Sequence, residues 1–441
     1  MRKLLILICF IQILSTDAHS KSTILFLGDG MGITTITAAR IYDGQVKGID
    51  GESHSLSFES FENVAFVKTY SADAQIPDSA GTMSAIMTGQ KTRSGVISVG
   101  PKYKRGDCQS VLSDSRITVL ELAEKAGLKT GIITTARITD ATPAATYAHA
   151  SDRTWESDEK VSQESKDKGC TDIAHQLTTF PYGDGIDLAF GGGRSNFHSK
   201  TTSDIEYPQL QGARGDGRNL INEWIEKGQN RTFIWNLDQF DNLSHEGQIL
   251  GLFEPLEMHY EVERPDDGVG EPSISSMAEF AVKHFQAIGD DYFLVIEGAR
   301  IDHGNHNKEP YLALTDTIEF SNAIQKVLDI VDLEETMVLV TADHSSALAF
   351  SGYPTRGMPV LGSLSYPELA FSGGSRFQEG HLEKDEAVRQ QFLANLQSDL
   401  AAHAGEDVPA YATGYKSELV KGVMEQNVLF DVILDSLDIN Q

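Results

Sequence analysis

Short apolar runs without polar alternation recur along the chain and predict buried β-strands. Four of them lie at residues 22–27, 130–135, 291–296 and 336–341. Residues 118–127 and 309–332 have the spacing of apolar positions that is typical of helices, and the small apolar segment 80–89 ends in Gly89. Strands that are apolar on both faces are typical of a parallel sheet covered by helices on both sides. The pattern therefore predicts an α/β fold, a three-layer sandwich with a central, mostly parallel sheet.

Two long segments interrupt this pattern. Residues 196–275 are loop-rich and acidic, and residues 351–400 begin with Gly, Ser and Pro before a helical pattern returns. The chain shows no internal repeat and no low-complexity segment. We therefore expect a single domain over residues 21–441, with loop-rich insertions at about 196–275 and about 351–400.

Residues 1–20 have the features of a cleavable signal peptide. Arg2 and Lys3 precede an apolar run at residues 4–14, and Ala18-His19-Ser20 fits a cleavage site. The run is too short to span a membrane, although an uncleaved anchor is the alternative. We therefore expect a secreted or periplasmic protein without a stable membrane anchor.

Two cysteines, Cys108 and Cys170, remain once the signal is removed. In an exported chain such a pair favours one disulfide bond. Two buried free thiols are the alternative.

The charge balance is strongly acidic. The chain carries 36 Lys and Arg against 64 Asp and Glu, a net charge of −28. Such a surface repels nucleic acids and anionic membranes, so no nucleic-acid-binding surface is expected. The excess of carboxylates is compatible with bound divalent cations.

Candidate ligands follow every predicted central strand. They are Asp29 after the first, Asp140 and Thr142 after the second, Glu297, Asp302, His303 and His306 after the third, and Asp343 and His344 after the fourth. Singly, each has an ordinary explanation as a turn, a helix cap or a surface residue. Together they predict a cation site, because the carboxyl ends of parallel strands meet at one edge of the sheet.

The ligand types divide this set in two. Asp302 with His306, and Asp343 with His344, mix carboxylate with imidazole, which suits zinc. Asp29, Asp140, Thr142 and Glu297 offer oxygen atoms alone, which suits magnesium.

Ser79 lies where a loop enters the predicted helix at 80–89. A serine in this position is most often a helix N-cap. Beside metal ions and at a helix N-terminus, however, it becomes a candidate nucleophile. The chain has no Gly-x-Ser-x-Gly motif, so metal activation would have to replace a histidine base.

Five segments resemble the signature segments of alkaline phosphatases. They are DSAGT at 78–82, TDATPA at 139–144, EGARIDHG at 297–304, TADHS at 341–345 and HAGEDV at 403–408. The similarity runs in the same order from about Ser22 to the C-terminus, and it is closer to the animal-type branch of the family than to the enteric bacterial branch.

The resemblance implies a role for each site residue. Ser79 is expected to be the nucleophile that becomes phosphoserine, and Arg153 to clamp the phosphate. The first of two zinc ions would be held by Asp302, His306 and His403, and the second by Asp29, Asp343 and His344. Asp29 would bridge to one magnesium ion, which Asp140, Thr142 and Glu297 complete. Cys108 and Cys170 match a disulfide bond of the family.

The implied activity is the hydrolysis of a broad range of phosphate monoesters at alkaline pH, with inorganic phosphate as product and a homodimer as the expected assembly. Glu206, the carbonyl of Phe253 and Glu254 match a calcium site of animal-type relatives, and Glu271 is the expected last ligand although a small insertion at 265–270 changes the spacing. The first insertion is therefore a candidate calcium-binding lobe, and solvated acidic loops are the alternative. The second insertion, at about 351–400, is expected to be crown-like. One departure concerns the magnesium site, where His303 is paired with Asp140, whereas animal-type relatives have His at both positions.

Three other functions compete with this interpretation. Sulfatases of the same fold need a Cys/Ser-x-Pro-x-Arg segment, which the residues after Ser79 do not provide. Phosphodiesterases usually lack the magnesium ligands and the arginine. A non-catalytic scavenger of metal or phosphate would be expected to lose the nucleophile or a zinc ligand.

Overall fold

The computed structural model of the protein describes residues 21–289, 291–361, 369–371 and 400–439. The expected signal peptide at 1–20 and most of the expected insertion at 351–400 lie outside the described residues.

Fourteen strands are present in the described part of the chain. They are β1 (Ser22–Gly28), β2 (Asn63–Lys68), β3 (Lys129–Arg137), β4 (Leu188–Gly192), β5 (Arg231–Ile234), β6 (Gln248–Leu252), β7 (Tyr292–Gly298), β8 (Thr336–Ala342), β9 (Ser345–Ser346), β10 (Leu348–Phe350), β11 (Leu369–Phe371), β12 (His403–Ala404), β13 (Val408–Gly414) and β14 (Gly422–Glu425).

The α-helices of the same ranges are α1 (Ile33–Val46), α2 (Ser79–Thr88), α3 (Gln109–Asp114), α4 (Val119–Ala126), α5 (Ala141–Tyr147), α6 (Gln163–Asp167), α7 (Ile173–Thr178), α8 (Leu220–Glu226), α9 (Leu237–Asp241), α10 (Ile274–Ile288), α11 (Arg300–His306), α12 (Pro310–Leu328) and α13 (Leu429–Ser436).

A ten-stranded sheet forms the centre of the fold, in the order β14-β2-β13-β8-β1-β7-β3-β4-β6-β5. The strands from β8 to β5 are parallel, and β13 runs antiparallel to both of its neighbours. The four apolar runs recognised in the sequence form the central strands β1, β3, β7 and β8, and the predicted α/β sandwich is confirmed.

Helices cover the sheet in two groups. Helix α12 packs against α1, α10 and α11, while α2 packs against α5 and α13. The core between sheet and helices includes Phe26 of β1, whose ring meets Phe320 of α12 edge to face with centroids 5.7 Å apart. This packing fixes where each strand ends and each following helix begins.

The segment 196–275 contributes to the sheet as well as to loops. Its strands β5 and β6 extend one edge beyond β4. A short antiparallel pair, β9 with β12, sets His403 opposite Ser346. This ladder brings the C-terminal part of the chain to the carboxyl end of β8.

Cys108 and Cys170 form a disulfide bond, as the sequence predicts. Among the described residues, no helix is both long enough and apolar enough to cross a membrane.

Candidate active site

The candidate ligands meet at the carboxyl edge of the central strands, because β1 lies between β7 and β8 in parallel register. Gly28 at the end of β1 is paired with Gly298 and Ala342, which places Asp29 beside the chain that leads to Asp302 and beside Asp343. The ends of these strands therefore bring the expected carboxylates to one place.

Ser79 is the first residue of α2 and is buried. Asp78, rather than Ser79, caps the helix, since its carboxylate accepts a hydrogen bond from the backbone of Gly81 at 3.2 Å. The Ser79 hydroxyl is therefore left to face the site, where Oγ lies 3.1 Å from Nε2 of His344 and 3.4 Å from Oδ1 of Asp29. The N-terminus of α2 also favours negative charge at this hydroxyl.

Two histidines face each other through their Nε2 atoms. Nε2 of His306 lies 2.9 Å from Nε2 of His403 and 3.1 Å from Oδ2 of Asp302. Both Nδ1 atoms face backbone carbonyls, that of His306 at Ala401 (2.7 Å) and that of His403 at Pro77 (2.8 Å). A proton on Nδ1 leaves Nε2 as a lone-pair acceptor in neutral imidazole, so two acceptors and a carboxylate converge as metal ligands do.

A second group surrounds Asp29. Nε2 of His344 lies 3.3 Å from Oδ1 of Asp29 and 3.4 Å from Oδ2 of Asp343, and all three residues are buried. Burial, and then repulsion from Asp343, Asp302 and Glu297, raise the pKa of Asp29 well above its usual value. These carboxylates are crowded in a way that a cation would relieve.

The oxygen-only group lies on the other side of Asp29's strand. Burial is the main cause that raises the pKa of Glu297 to about 8, and repulsion from Asp140 and Asp343 adds to it. The hydroxyl of Thr142 is buried without a hydrogen-bond partner. An unpartnered buried oxygen beside two carboxylates fits a hard divalent cation.

Arg153 reaches the same place from the loop after α5. Its Nη1 donates to Oδ2 of Asp78 and its Nη2 to Oδ1 of Asp140, each at 3.2 Å. Burial opposes ionisation of Asp140, but Arg137, Arg153 and His303 lower its pKa overall. His303 lies close to this group, and its Nδ1 is 3.1 Å from Nη1 of Arg300. Burial and then Arg300 lower the pKa of His303 to about 4.

The donor sets fit the ions that the sequence implies. Asp302, His306 and His403 offer ligand atoms close enough to share one ion, and so do Asp29, Asp302 and His344. Mixed imidazole and carboxylate sets suit zinc, whereas Asp140, Thr142 and Glu297 are oxygen donors.

The match to known proteins agrees with this arrangement. The family model described as alkaline phosphatase matches residues 20–439. The chain belongs to the alkaline phosphatase family. It is therefore a phosphoric monoester hydrolase of a metal-dependent family.

Relatives within the family cover nearly the whole chain. An alkaline phosphatase of Gadus morhua is 36% identical over 433 residues, covering 93% of this chain and 90% of the cod protein. The tissue-nonspecific isozyme of Homo sapiens is 35% identical over 441 residues, covering 95% of this chain and 83% of the human protein.

Solved structures share the fold. The alkaline phosphatase of the Antarctic bacterium TAB5 matches with a TM-score of 0.68 and 23% identity, over 96% of this chain and 100% of that one. The alkaline phosphatase of Thermus thermophilus matches with a TM-score of 0.69 and 18% identity, over 96% of this chain and 92% of the other.

Several residues that support the site were not found from the sequence. Thr134 donates to Oε2 of Glu297 at 2.5 Å, Thr82 to Oδ2 of Asp343 at 3.1 Å, and Ser346 to Oδ1 of Asp302 at 3.3 Å. Thr134 lies opposite Glu297 in the parallel register of β3 and β7. Strand pairing is the signal that could have identified it.

The four residues expected to bind calcium lie in one region, with two unexpected neighbours. Glu206, Glu254 and Asp267 offer ligand atoms that could share one ion, as do Glu254, His259 and Glu271. Burial, followed by repulsion from Glu206 and Glu271, raises the pKa of Glu254 to about 8. Asp267 and His259 were missed because neither matches a ligand of the family.

Proposed function

We propose that the protein is a metal-dependent alkaline phosphomonoesterase that hydrolyses a broad range of phosphate monoesters through a phosphoserine on Ser79. The observation that carries the proposal is the buried Ser79 hydroxyl at the N-terminus of α2, which lies 3.1 Å from Nε2 of His344 and 3.4 Å from Oδ1 of Asp29. The proposed mechanism uses no other serine or threonine side chain as the nucleophile.

Three groups of residues would hold the metals. One zinc ion would be held by Asp302, His306 and His403, and a second by Asp29, Asp343 and His344. A magnesium ion would be held by Asp140, Thr142 and Glu297, and Asp29 would contribute to this site as well. When bound, the zinc ions supply a lowered pKa for a hydroxyl and charge neutralisation on the attacking and leaving oxygens.

Ser79 attacks phosphorus as an alkoxide, and the bond to the departing alcohol breaks on the opposite side. The alcohol leaves and phosphoserine remains. A water molecule then attacks from the vacated side, which releases inorganic phosphate and restores Ser79. Two in-line displacements give net retention at phosphorus, and activity rises toward alkaline pH because Ser79 and water react as anions.

Arg153 would orient the phosphoryl group through two N–H donors. In the structure these donors face Asp78 and Asp140, so the phosphate would compete with two carboxylates for the guanidinium. Because Arg153 would contact the phosphoryl group, which all monoesters share, this role is consistent with a broad range of substrates.

We propose export through residues 1–20 and a homodimer. Exposed apolar side chains on the outer strands β2 and β14, namely Val64, Phe66 and Val423, support an assembly, since Val423 is in register with Phe66. Light scattering of the purified protein tests the dimer, and a molar mass of one chain would contradict it.

Metal content and turnover of p-nitrophenyl phosphate, measured on one sample, test the proposal. We expect about two zinc and one magnesium per chain, with activity lost to a chelator and restored by both metals. Ser79→Ala should lower turnover by at least about a thousandfold with metal content retained. Ser94→Ala is the control, because the Ser94 hydroxyl pairs with that of Ser71 at 3.1 Å rather than with a proposed metal ligand. Full metal occupancy without turnover would favour a scavenger, and faster hydrolysis of diesters than of monoesters would favour a phosphodiesterase.

A further inference from the structure

A compact group of ligand atoms lies about the loop between β6 and α10, apart from the residues assigned to Ser79 chemistry. Nδ1 of His259 lies 3.7 Å from Oε1 of Glu254 and 3.5 Å from Oε1 of Glu271. The backbone N–H of His259 also donates to Oε1 of Glu271 at 2.8 Å, which fixes the two residues relative to each other.

The atoms that face this group lack partners. Oε1 of Glu254, Oε2 of Glu271, Nδ1 of His259 and Oδ2 of Asp267 are buried without a hydrogen bond. Glu254 and Glu271 are only 4% and 1% exposed. The contacts with His259 help to compensate these buried carboxylates, and their unpartnered oxygens leave ligand atoms that a metal ion could use.

Arg194 alters which atoms are available to that cation. This fully buried guanidinium binds Glu206 at 3.1 Å and the carbonyl of Phe253 at 2.9 Å, two of the four positions expected to hold calcium. One oxygen of Glu206 and the Phe253 carbonyl therefore contact a guanidinium that also pairs with Asp204. The unpartnered atoms of Glu254, Glu271 and His259 lie together, and Asp267 adds another beside Glu206 and Glu254.

The chemistry of the available atoms differs from that of a calcium site. Calcium takes six to eight oxygen ligands, whereas zinc binds imidazole nitrogen together with carboxylate oxygen. The side-chain interaction with Glu271 raises the pKa of His259 to about 9, so a metal ion would displace a proton from the ring. Imidazole nitrogen as a ligand favours a transition metal over an alkaline-earth ion.

We infer that His259, Glu254 and Glu271 form a zinc-class site, in which Nδ1 of His259 and two carboxylates hold the ion in place of calcium. The inference deepens the fourth-cation part of the proposed function and does not depend on Ser79 chemistry. Its structural consequence concerns Tyr260, the next residue. The Tyr260 hydroxyl accepts a hydrogen bond from Asn307 at 3.1 Å, and its ring lies under Arg300. The ion would therefore fix a loop that contacts both ends of α11.

Metal competition tests the inference on the full-length protein. The wild type and His259→Gln are equilibrated with equal concentrations of Zn²⁺ and Ca²⁺, and bound metals are counted by mass spectrometry. We expect His259→Gln to hold one zinc fewer and to gain calcium, with zinc affinity of this site at least tenfold lower. The result is the difference in metal content between the wild type and His259→Gln, so the metals bound at the Ser79 site contribute equally to both counts.

His245→Gln is the matched control. It makes the same substitution at another half-buried histidine, whose ring stacks on Phe280 with centroids 4.5 Å apart. Its metal content should equal that of the wild type. A loss of zinc in both variants would overturn the assignment to His259.

Anomalous scattering from crystals of the wild type gives a test that does not depend on folding of a variant. Data collected on both sides of the zinc edge should show a zinc peak beside Nδ1 of His259. Calcium or no ion at that position would overturn the inference. If zinc is present there while p-nitrophenyl phosphate is not hydrolysed, the inference stands and the proposed function fails. Turnover without zinc at His259 gives the opposite result.

Discussion

Arg153 and Asp140 are joined by a hydrogen bond of 3.2 Å from Nη2 to Oδ1. The residue proposed to bind phosphate is thus tied directly to a proposed magnesium ligand. The Arg153 backbone is fixed as well, since its N–H donates to the carbonyl of Gly95 at 2.8 Å. Substitutions at either residue should therefore change the affinity for phosphate.

Arg153→Ala should weaken inhibition by inorganic phosphate more than it slows turnover. Loss of hydrogen bonds to a charged group is expected to raise the inhibition constant roughly 10- to 100-fold. Steady-state kinetics with p-nitrophenyl phosphate at several phosphate concentrations measure both effects. Arg105→Ala is the control, because Arg105 pairs with Asp152 and not with the site. An unaltered inhibition constant in Arg153→Ala would remove the clamp assignment.

Gly30→Ala should disturb metal binding through a steric clash, in addition to straining the backbone. Gly30 has φ +64°, and an added Cβ would overlap the carboxylate of Asp302 and the hydroxyl of Ser346. Displacing Asp302 should lower zinc affinity at least tenfold, as read from activity against free zinc concentration.

Gly48→Ala separates this effect from backbone strain. Gly48 has a similar φ of +71°, yet among the described residues no atom lies within 4 Å of an added Cβ. It should lose about 1 kcal/mol of stability and keep its zinc affinity. Equal zinc affinities of the two variants would show that Asp302 does not need its present position.

The central strands and their ligands were predictable because the signals are local. The run at 336–341 is apolar on both faces, and Asp343 follows it closely. One local segment therefore predicts both the strand and the candidate ligand at its carboxyl end. Gly127 similarly ends α4 in the left-handed region, with φ 83°. The expectation that parallel strands deliver their ligands to one edge then needs no knowledge of strand order.

The remaining features depend on contacts between distant segments. β13 inserts antiparallel between β2 and β8, an order that no local pattern specifies. Asp267 and His259 reach Glu254 through the folding of a loop, and Arg194 reaches Glu206 and Phe253 through side-chain packing. Such pairings are set by the tertiary fold, so spacing along the chain does not reveal them.

The Cys108–Cys170 bond closes a loop with a sequence separation of 62 residues. On the chain-entropy model, a loop of this length is worth roughly 4 kcal/mol. The Cys108→Ser/Cys170→Ser variant should therefore unfold at a lower denaturant concentration than the oxidised wild type. Adding a reductant should shift the wild type toward the variant and leave the variant unchanged. Identical midpoints of the oxidised wild type and the variant would contradict the prediction.

Glu124 offers a test of stability against pH far from the metal ligands. It is 3% exposed, and its Oε1 accepts a hydrogen bond from the hydroxyl of Thr130. Burial is the main cause that raises its pKa to about 8, with repulsion from Asp187 and Asp184 adding to it and the Thr130 hydrogen bond opposing it. The folded protein therefore keeps this carboxyl protonated at neutral pH, whereas the unfolded chain does not.

The sign of the pH dependence follows from the number of protons bound. Between about pH 4.5 and pH 8 the folded state binds one proton more than the unfolded state at this group, so its contribution to stability falls as the pH rises. Above about pH 8 both states are ionised and the stabilisation is lost. Glu124→Gln, which is neutral at every pH and keeps an acceptor for Thr130, removes that loss.

Thermal unfolding at pH 5 and pH 9 measures the effect. The midpoint of Glu124→Gln should exceed that of the wild type by a few degrees at pH 9, and the two should lie closer together at pH 5. Glu164→Gln is the control, because it replaces an exposed glutamate that pairs with Lys168. The difference between its midpoint and that of the wild type should not grow from pH 5 to pH 9. Because Asp187 titrates in both proteins, its contribution largely cancels from the difference. A gap that narrows toward pH 9 would mean that Glu124 is ionised in the folded protein at neutral pH.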